Sequence, residues 1–151
     1  MIRRDRQIVI CRILIGLALC FIWGNSLLPA EQSQALSDSV QDLLISFRAV
    51  VAAAMEGGNL LRKLAHFLEF TALGLLLCWL TELQCRQPRR ALMMGTAAAC
   101  IDECIQFFVP GRAPGVLDVA IDCCGVLTGM FLLQFGYLFY QKTQSKQNGG
   151  F

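Results

Sequence analysis

Polar and ionisable side chains lie in or beside the long apolar segments of this sequence, where charges are costly. The set is Lys63, His66, Glu69, Asp102, Glu103, Gln106, Arg112, Asp118 and Asp122. Keeping a charged group at the centre of a membrane costs about 2.5–3.5 kcal/mol on insertion scales. Groups retained at such a cost are candidates for catalysis or binding, and the arrangement of the segments decides whether they meet.

These residue types could perform acid–base catalysis, bind an anion or bind a metal ion. The candidate catalytic residues are His66, Glu69, Asp102, Glu103 and Asp118. The candidate ligand-binding residues are Lys63, Gln106, Arg112 and Asp122. The single histidine titrates closest to neutral pH, and the planar guanidinium of Arg112 suits a phosphate. Three or four carboxylates and one imidazole could hold a divalent cation such as Mg²⁺ or Mn²⁺, although their spacing does not identify a metal.

The composition indicates one integral membrane domain covering residues 1–151. Hydrophobic residues make up 56% of the sequence and charged residues 16%, with a mean hydropathy of +0.55. Soluble domains contain about 25% charged residues. A net charge of +2, with no basic stripe interleaved with aromatics, argues against a nucleic-acid partner. Seven of the eight cysteines lie in apolar runs, which predicts buried free thiols rather than disulfides.

The apolar runs predict an all-α protein with four transmembrane helices. The predicted spans are 8–24, 63–83, 91–109 and 116–140, each near the 20 residues that a bilayer requires. The first span also resembles a signal peptide, but its cleavage sites are poor, and we expect it to be retained. Apolar spacing at i, i+3, i+4 and i+7 predicts an amphipathic helix at 38–55, lying on the outer membrane surface. The polar tail at 142–151 is predicted to be disordered.

The basic residues predict the orientation in the membrane. They cluster at the N-terminus, in the loop at 84–90 and in the tail, so both termini are expected in the cytoplasm. The three later spans then alternate in direction and bring every candidate residue to the outer-leaflet interface. Asp102 and Glu103 are neighbours about 100° apart on a helix, so we expect one to face the site and the other to pair with a cation. Gly125 and Gly129 form a GxxxG step that favours close helix packing.

Three runs of this sequence resemble the VanZ-like family over about residues 10–140. They are NSLLPAEQSQALSDSV at 25–40, RKLAHFLEFTALGLLL at 62–77 and DECIQFFVPGRAPGVLDVAIDCCGVLTG at 102–129. The resemblance implies a small multi-helix membrane protein of the bacterial cell envelope. The namesake of the family is linked to low-level resistance to the glycopeptide teicoplanin, but the family does not supply a mechanism. Asp122 stands where many members have Asn, which changes the local charge and keeps a polar group.

Two functions of different class follow. In the first, the outer-leaflet site binds a lipid-linked cell-wall precursor, a lipid headgroup or a glycopeptide. The alternative is a membrane-embedded hydrolase or transferase acting on a lipid-linked envelope substrate, with His66 and the acids as acid–base groups or metal ligands. A transporter is a third interpretation, and it would require a homo-oligomer because one chain offers only four short helices.

Overall fold

A computed structural model describes residues 2–29, 58–112 and 115–148, and this part of the chain contains four helices and no strand. The helices are α1 (Ile2–Ser26), α2 (Gly58–Leu83), α3 (Arg89–Phe107) and α4 (Val116–Asn148). The predicted all-α class is therefore confirmed. The predicted amphipathic helix at 38–55 lies outside the described residues.

Three of the described helices are long and apolar enough to cross a membrane. The qualifying stretches are Arg3–Ser26, Arg62–Leu83 and Val116–Gln144. The remaining helix, α3, has 19 residues and carries charges at both ends. Arg89 and Arg90 begin it, and Asp102 and Glu103 lie in its last two turns, so its composition is less apolar than that of the others.

Two predicted boundaries differ from the structure. The helix α4 continues through 142–148, where we expected the disordered tail to begin. This segment contains no glycine or proline before Gly149, and its Gln and Lys residues favour the helix. Similarly, α1 begins at Ile2 rather than at the start of the apolar run, because the Arg and Gln residues that precede the run are also compatible with a helix.

The most extensive contact in the bundle joins α2 to α4, and glycines make it possible. A Cβ atom added to Gly125 would lie 2.6 Å from the carbonyl oxygen of Phe67. A Cβ atom at Gly129 would overlap the carbonyl oxygen of Thr71, and one at Gly74 would overlap that of Val126. The GxxxG step of α4 therefore packs directly on the backbone of α2, as its spacing predicts.

Apolar side chains fill the space between the helices and also cover the outside of the bundle. Phe70, Leu73 and Val126 are among the fully buried residues, whereas α1 and α4 expose many large apolar side chains, as expected of a surface in contact with lipid. All eight cysteines are free, as predicted. Their predicted burial holds only for Cys11 and Cys78, because most of the others face outward from the bundle.

Candidate functional site

His66 lies between two aspartates that come from two other helices. Its Nδ1 atom is 3.6 Å from Oδ2 of Asp102 on α3 and 3.9 Å from Oδ1 of Asp122 on α4. The two aspartates are 0% and 1% exposed, respectively. The alternating directions of α2, α3 and α4 thus bring the three side chains to one end of the bundle, as the sequence predicts. We call His66, Asp102 and Asp122 the central triad.

Gln106 fixes one carboxylate of the central triad. Its Nε2 atom donates a hydrogen bond of 2.7 Å to Oδ2 of Asp102, one helical turn earlier on α3. The same nitrogen lies 3.5 Å from Oγ of Ser26 at the end of α1. Gln106 is itself buried, so its amide connects α3 to the end of α1 and limits the positions that the Asp102 carboxylate can take.

Several buried carboxylate oxygens have no hydrogen-bond partner among the described residues. They are Glu69 Oε2, Asp102 Oδ1, Glu103 Oε1, Asp118 Oδ1 and Asp122 Oδ2. A buried acceptor without a partner costs about 1–3 kcal/mol, and more when it is charged. Such oxygens are suited to meet hydrogen-bond donors of a ligand, a proton or a metal ion.

A narrow pocket leads to the central triad from the end of the bundle. Lys63 and Asp118 form an ion pair of 3.5 Å there, with side chains that are 37% and 21% exposed. The pocket is lined by Arg62, Lys63, His66, Gln106, Asp118, Ile121 and Asp122. Its volume is about 10 Å³, close to the space that one water molecule needs. Two cationic and two acidic side chains thus line the same pocket, together with His66.

Arg112 is directed toward the end of α1. It donates from Nε to the carbonyl of Leu28 at 3.1 Å and from Nη2 to the carbonyl of Asn25 at 3.2 Å. Burial lowers the pKa of this guanidinium, which is only 9% exposed. A cation at the C-terminal end of a helix is favourable because the last carbonyls lack helical partners. The preceding Gly111 has a φ of 78°, a conformation that favours glycine and turns the chain at this point.

Glu103 and Asp102 point to different partners, as their 100° separation predicts. Glu103 accepts a 2.9 Å hydrogen bond from the backbone N–H of Gly115, ahead of α4. We expected one of these two acids to pair with a cation. The described partner of Glu103 is instead a backbone N–H, because the turn after α3 brings Gly115 next to its carboxylate.

Three further polar residues at this end of the bundle were not among those predicted from the sequence. Asn25 donates from Nδ2 to Oε1 of Glu69 at 3.0 Å, Ser26 lies near Gln106, and Arg62 lines the pocket. Asn25 and Ser26 directly follow the first apolar run. The first span runs from the cytoplasm to the outer face in the predicted topology. The position of Asn25 and Ser26 at this end of the bundle could therefore have been predicted from the sequence.

The fold and the site define a helical membrane protein with a buried polar cluster at one end of its bundle. Residues 12–139 match the family model described as VanZ/LLP1. Because this match covers most of the chain, the protein belongs to the VanZ/LLP1 family, and the resemblance noted from its sequence is confirmed. Membership suggests a membrane protein linked to antibiotic resistance. No curated protein and no solved structure gave a significant match.

Proposed function

We propose that this protein binds the polar headgroup of an envelope lipid, a lipid-linked cell-wall precursor or a glycopeptide such as teicoplanin. The observation that carries the proposal is the polar surface around this pocket, where Arg62 and Lys63 lie near Asp118 and Asp122. The headgroup would lie over the mouth of the pocket, because the pocket itself has room for only about one water molecule. A phosphate would meet the two cations through charge-assisted hydrogen bonds. An amine, amide or hydroxyl group of the same ligand would donate to the unpartnered carboxylate oxygens.

The proposal includes four membrane crossings, with the pocket at the outer-leaflet interface and both termini in the cytoplasm. Arg86, Arg89 and Arg90 lie at the opposite end of α2 and α3 from the pocket, which supports this orientation through the positive-inside rule. With 19 residues, α3 has a length of about 28 Å, close to the bilayer core of about 30 Å. Like α2 and α4, α3 runs from one end of the bundle to the other.

A ligand with an acyl chain suits this location. Val116 and Leu117 at the start of α4 are 88% and 74% exposed. An acyl chain attached to a bound headgroup would continue along this apolar surface into the surrounding lipid. Resistance can follow from such binding alone, because sequestering a glycopeptide or its precursor target lowers the amount of drug–target complex.

Binding would be measured with the full chain in nanodiscs, using a fluorescent lipid-linked precursor and, separately, teicoplanin. We expect saturable binding of at least one ligand, weakened about 100-fold or more in the double variant Arg62→Ala/Lys63→Ala, since each of the two lost charged hydrogen bonds is worth about 1.5–3 kcal/mol. The matched control is Arg86→Ala/Arg89→Ala, which removes two cations at the other end. The proposal is wrong if neither ligand binds saturably, or if both double variants weaken binding equally.

An enzyme acting on a lipid-linked envelope substrate is the second candidate, and the placement of His66 favours it. An imidazole whose Nδ1 faces a buried carboxylate resembles the base–orienter pairs of acid–base catalysis. The test is turnover of lipid-linked precursors by purified protein, compared with His66→Ala. Absence of turnover, together with full resistance in cells carrying His66→Ala, would exclude this candidate.

A further inference from the structure

We propose that the central triad binds one divalent transition-metal ion, with Mn²⁺ and Zn²⁺ as the best-suited ions. Each member offers one ligand atom, and the three atoms lie within 4.8 Å of one another. They come from three helices, so a bound ion would tie α2, α3 and α4 together at this end of the bundle. The assignment does not depend on which headgroup the pocket accepts.

The distances within the triad suit ligands that share an ion better than they suit hydrogen bonds. Nδ1 of His66 is 3.6 Å and 3.9 Å from the two carboxylate oxygens. Hydrogen bonds between nitrogen and oxygen are about 2.7–3.2 Å long. Two ligand atoms bound tetrahedrally at about 2.1 Å from one ion lie about 3.4 Å apart. The two distances from His66 exceed this spacing by about 0.2 and 0.5 Å, and the two carboxylate oxygens lie within 4.8 Å of each other.

A second observation is that each aspartate of the triad has one buried oxygen without a hydrogen-bond partner among the described residues. Asp102 Oδ1 and Asp122 Oδ2 are buried and accept no hydrogen bond from the described residues. Within the same part of the chain, His66 is the only basic side chain within 4.0 Å of either carboxylate. Lys63 pairs with Asp118, and Arg112 donates to backbone carbonyls. Buried charges require compensation, and a divalent cation would balance two carboxylates directly.

The surroundings of the triad resemble those of a metal site with open coordination positions. Gln106 holds Asp102 with a 2.7 Å hydrogen bond, as outer-shell partners of metal ligands do. The pocket touches His66 and Asp122 and has room for about one water molecule, which could complete the coordination. One imidazole and two carboxylates form a mixed nitrogen and oxygen set, which suits Zn²⁺ and Mn²⁺ better than Ca²⁺.

Mn²⁺ is the more selective probe, because the eight free thiols of the chain are soft ligands that also attract Zn²⁺. Mn²⁺ would be titrated into the full chain in nanodiscs, and free Mn²⁺ measured by electron paramagnetic resonance. We expect about one bound ion per chain. His66→Ala and Asp122→Ala should abolish this binding, and Asp122→Asn, which keeps one oxygen ligand, should weaken it about tenfold. Gln106→Ala should weaken it about 10–100-fold through the outer shell.

The matched control is Glu82→Ala, which removes an exposed carboxylate at the other end of α2 and should leave Mn²⁺ binding unchanged. Thermal unfolding with and without Mn²⁺ provides a second measurement. The ion should raise the unfolding temperature of the wild type and of Glu82→Ala, but not that of Asp122→Ala. Absence of stoichiometric Mn²⁺ binding overturns the assignment. So does binding that is equally strong in wild type, Asp122→Asn and Gln106→Ala.

Discussion

At the scale of single residues, the site depends on His66 of α2, which lies between Asp102 of α3 and Asp122 of α4. His66, Asp102 and Asp122 share a depth because the apolar segments alternate in direction, and their positions along the segments are sufficient to predict this. The direction in which each side chain points depends on the rotation of its helix about its own axis, which is fixed by packing. The two contacts of Arg112 with carbonyls of α1 could not be predicted for this reason.

Because both hydrogen bonds of Arg112 are made to backbone carbonyls, we expect this residue to contribute mainly to the stability of the folded bundle. Arg112→Ala would leave two backbone carbonyls at the end of α1 without their charged donor. We expect the free energy of unfolding to fall by about 3–6 kcal/mol, since each such bond is worth about 1.5–3 kcal/mol. Arg112→Lys should restore only part of this, because an ammonium cannot reproduce the guanidinium fork. The measurement is unfolding in detergent, with the surface variant Arg86→Ala as control. An unfolding temperature of Arg112→Ala equal to that of the control would contradict this role.

At the scale of helices, the apolar runs predict the elements and the glycines predict one packing surface. All four apolar segments are helical in the structure. The ends of the helices are less predictable, because α4 continues for eight residues beyond the predicted span into a polar segment that favours the helix as well. The contact between α2 and α4 is different in kind, since a backbone approach this close requires the absence of a side chain at Gly125 and Gly129.

The close approach of α2 and α4 predicts opposite effects for glycines on the same helix. Gly129→Ala would drive a methyl group into the backbone of α2 at Thr71, and Gly125→Ala would do so at Phe67. We expect each to lower the stability of the bundle by about 1–3 kcal/mol, as overpacking commonly does. Gly136→Ala is the matched control, because nothing lies within 4 Å of its added Cβ atom. It should be neutral or stabilising, by up to about 1 kcal/mol from helix propensity.

Thermal unfolding in detergent micelles, followed by circular dichroism, would compare the three glycine variants. A uniform effect at all three positions would show that substitution of a helical glycine matters in itself, and would contradict a specific role of the interface between α2 and α4. A loss of stability confined to Gly125→Ala and Gly129→Ala would support that role.

At the scale of the whole molecule, the placement of the polar cluster depends on the number of crossings and their directions. The structure brings the cluster to one end of the bundle, and the basic loop between α2 and α3 lies at the other. The positive-inside rule assigns that loop to the cytoplasm. If this assignment is correct, a ligand reaches the pocket from outside the cell, where glycopeptides act on cell-wall precursors.

The orientation can be measured with a cysteine that the chain already contains. Cys85 is exposed in the basic loop, and Pro110 is exposed in the turn at the opposite end of the bundle. A membrane-impermeant maleimide applied to intact cells should label Pro110→Cys, and should label Cys85 only after lysis. The variant Pro110→Cys/Cys85→Ser separates the two signals, and Cys85→Ser alone is the control for reaction at the other seven thiols. Labelling of Cys85 in intact cells, with Pro110→Cys reacting only after lysis, would place the pocket in the cytoplasm. The ligand would then have to be a headgroup of the inner leaflet, because extracellular glycopeptides would not reach it.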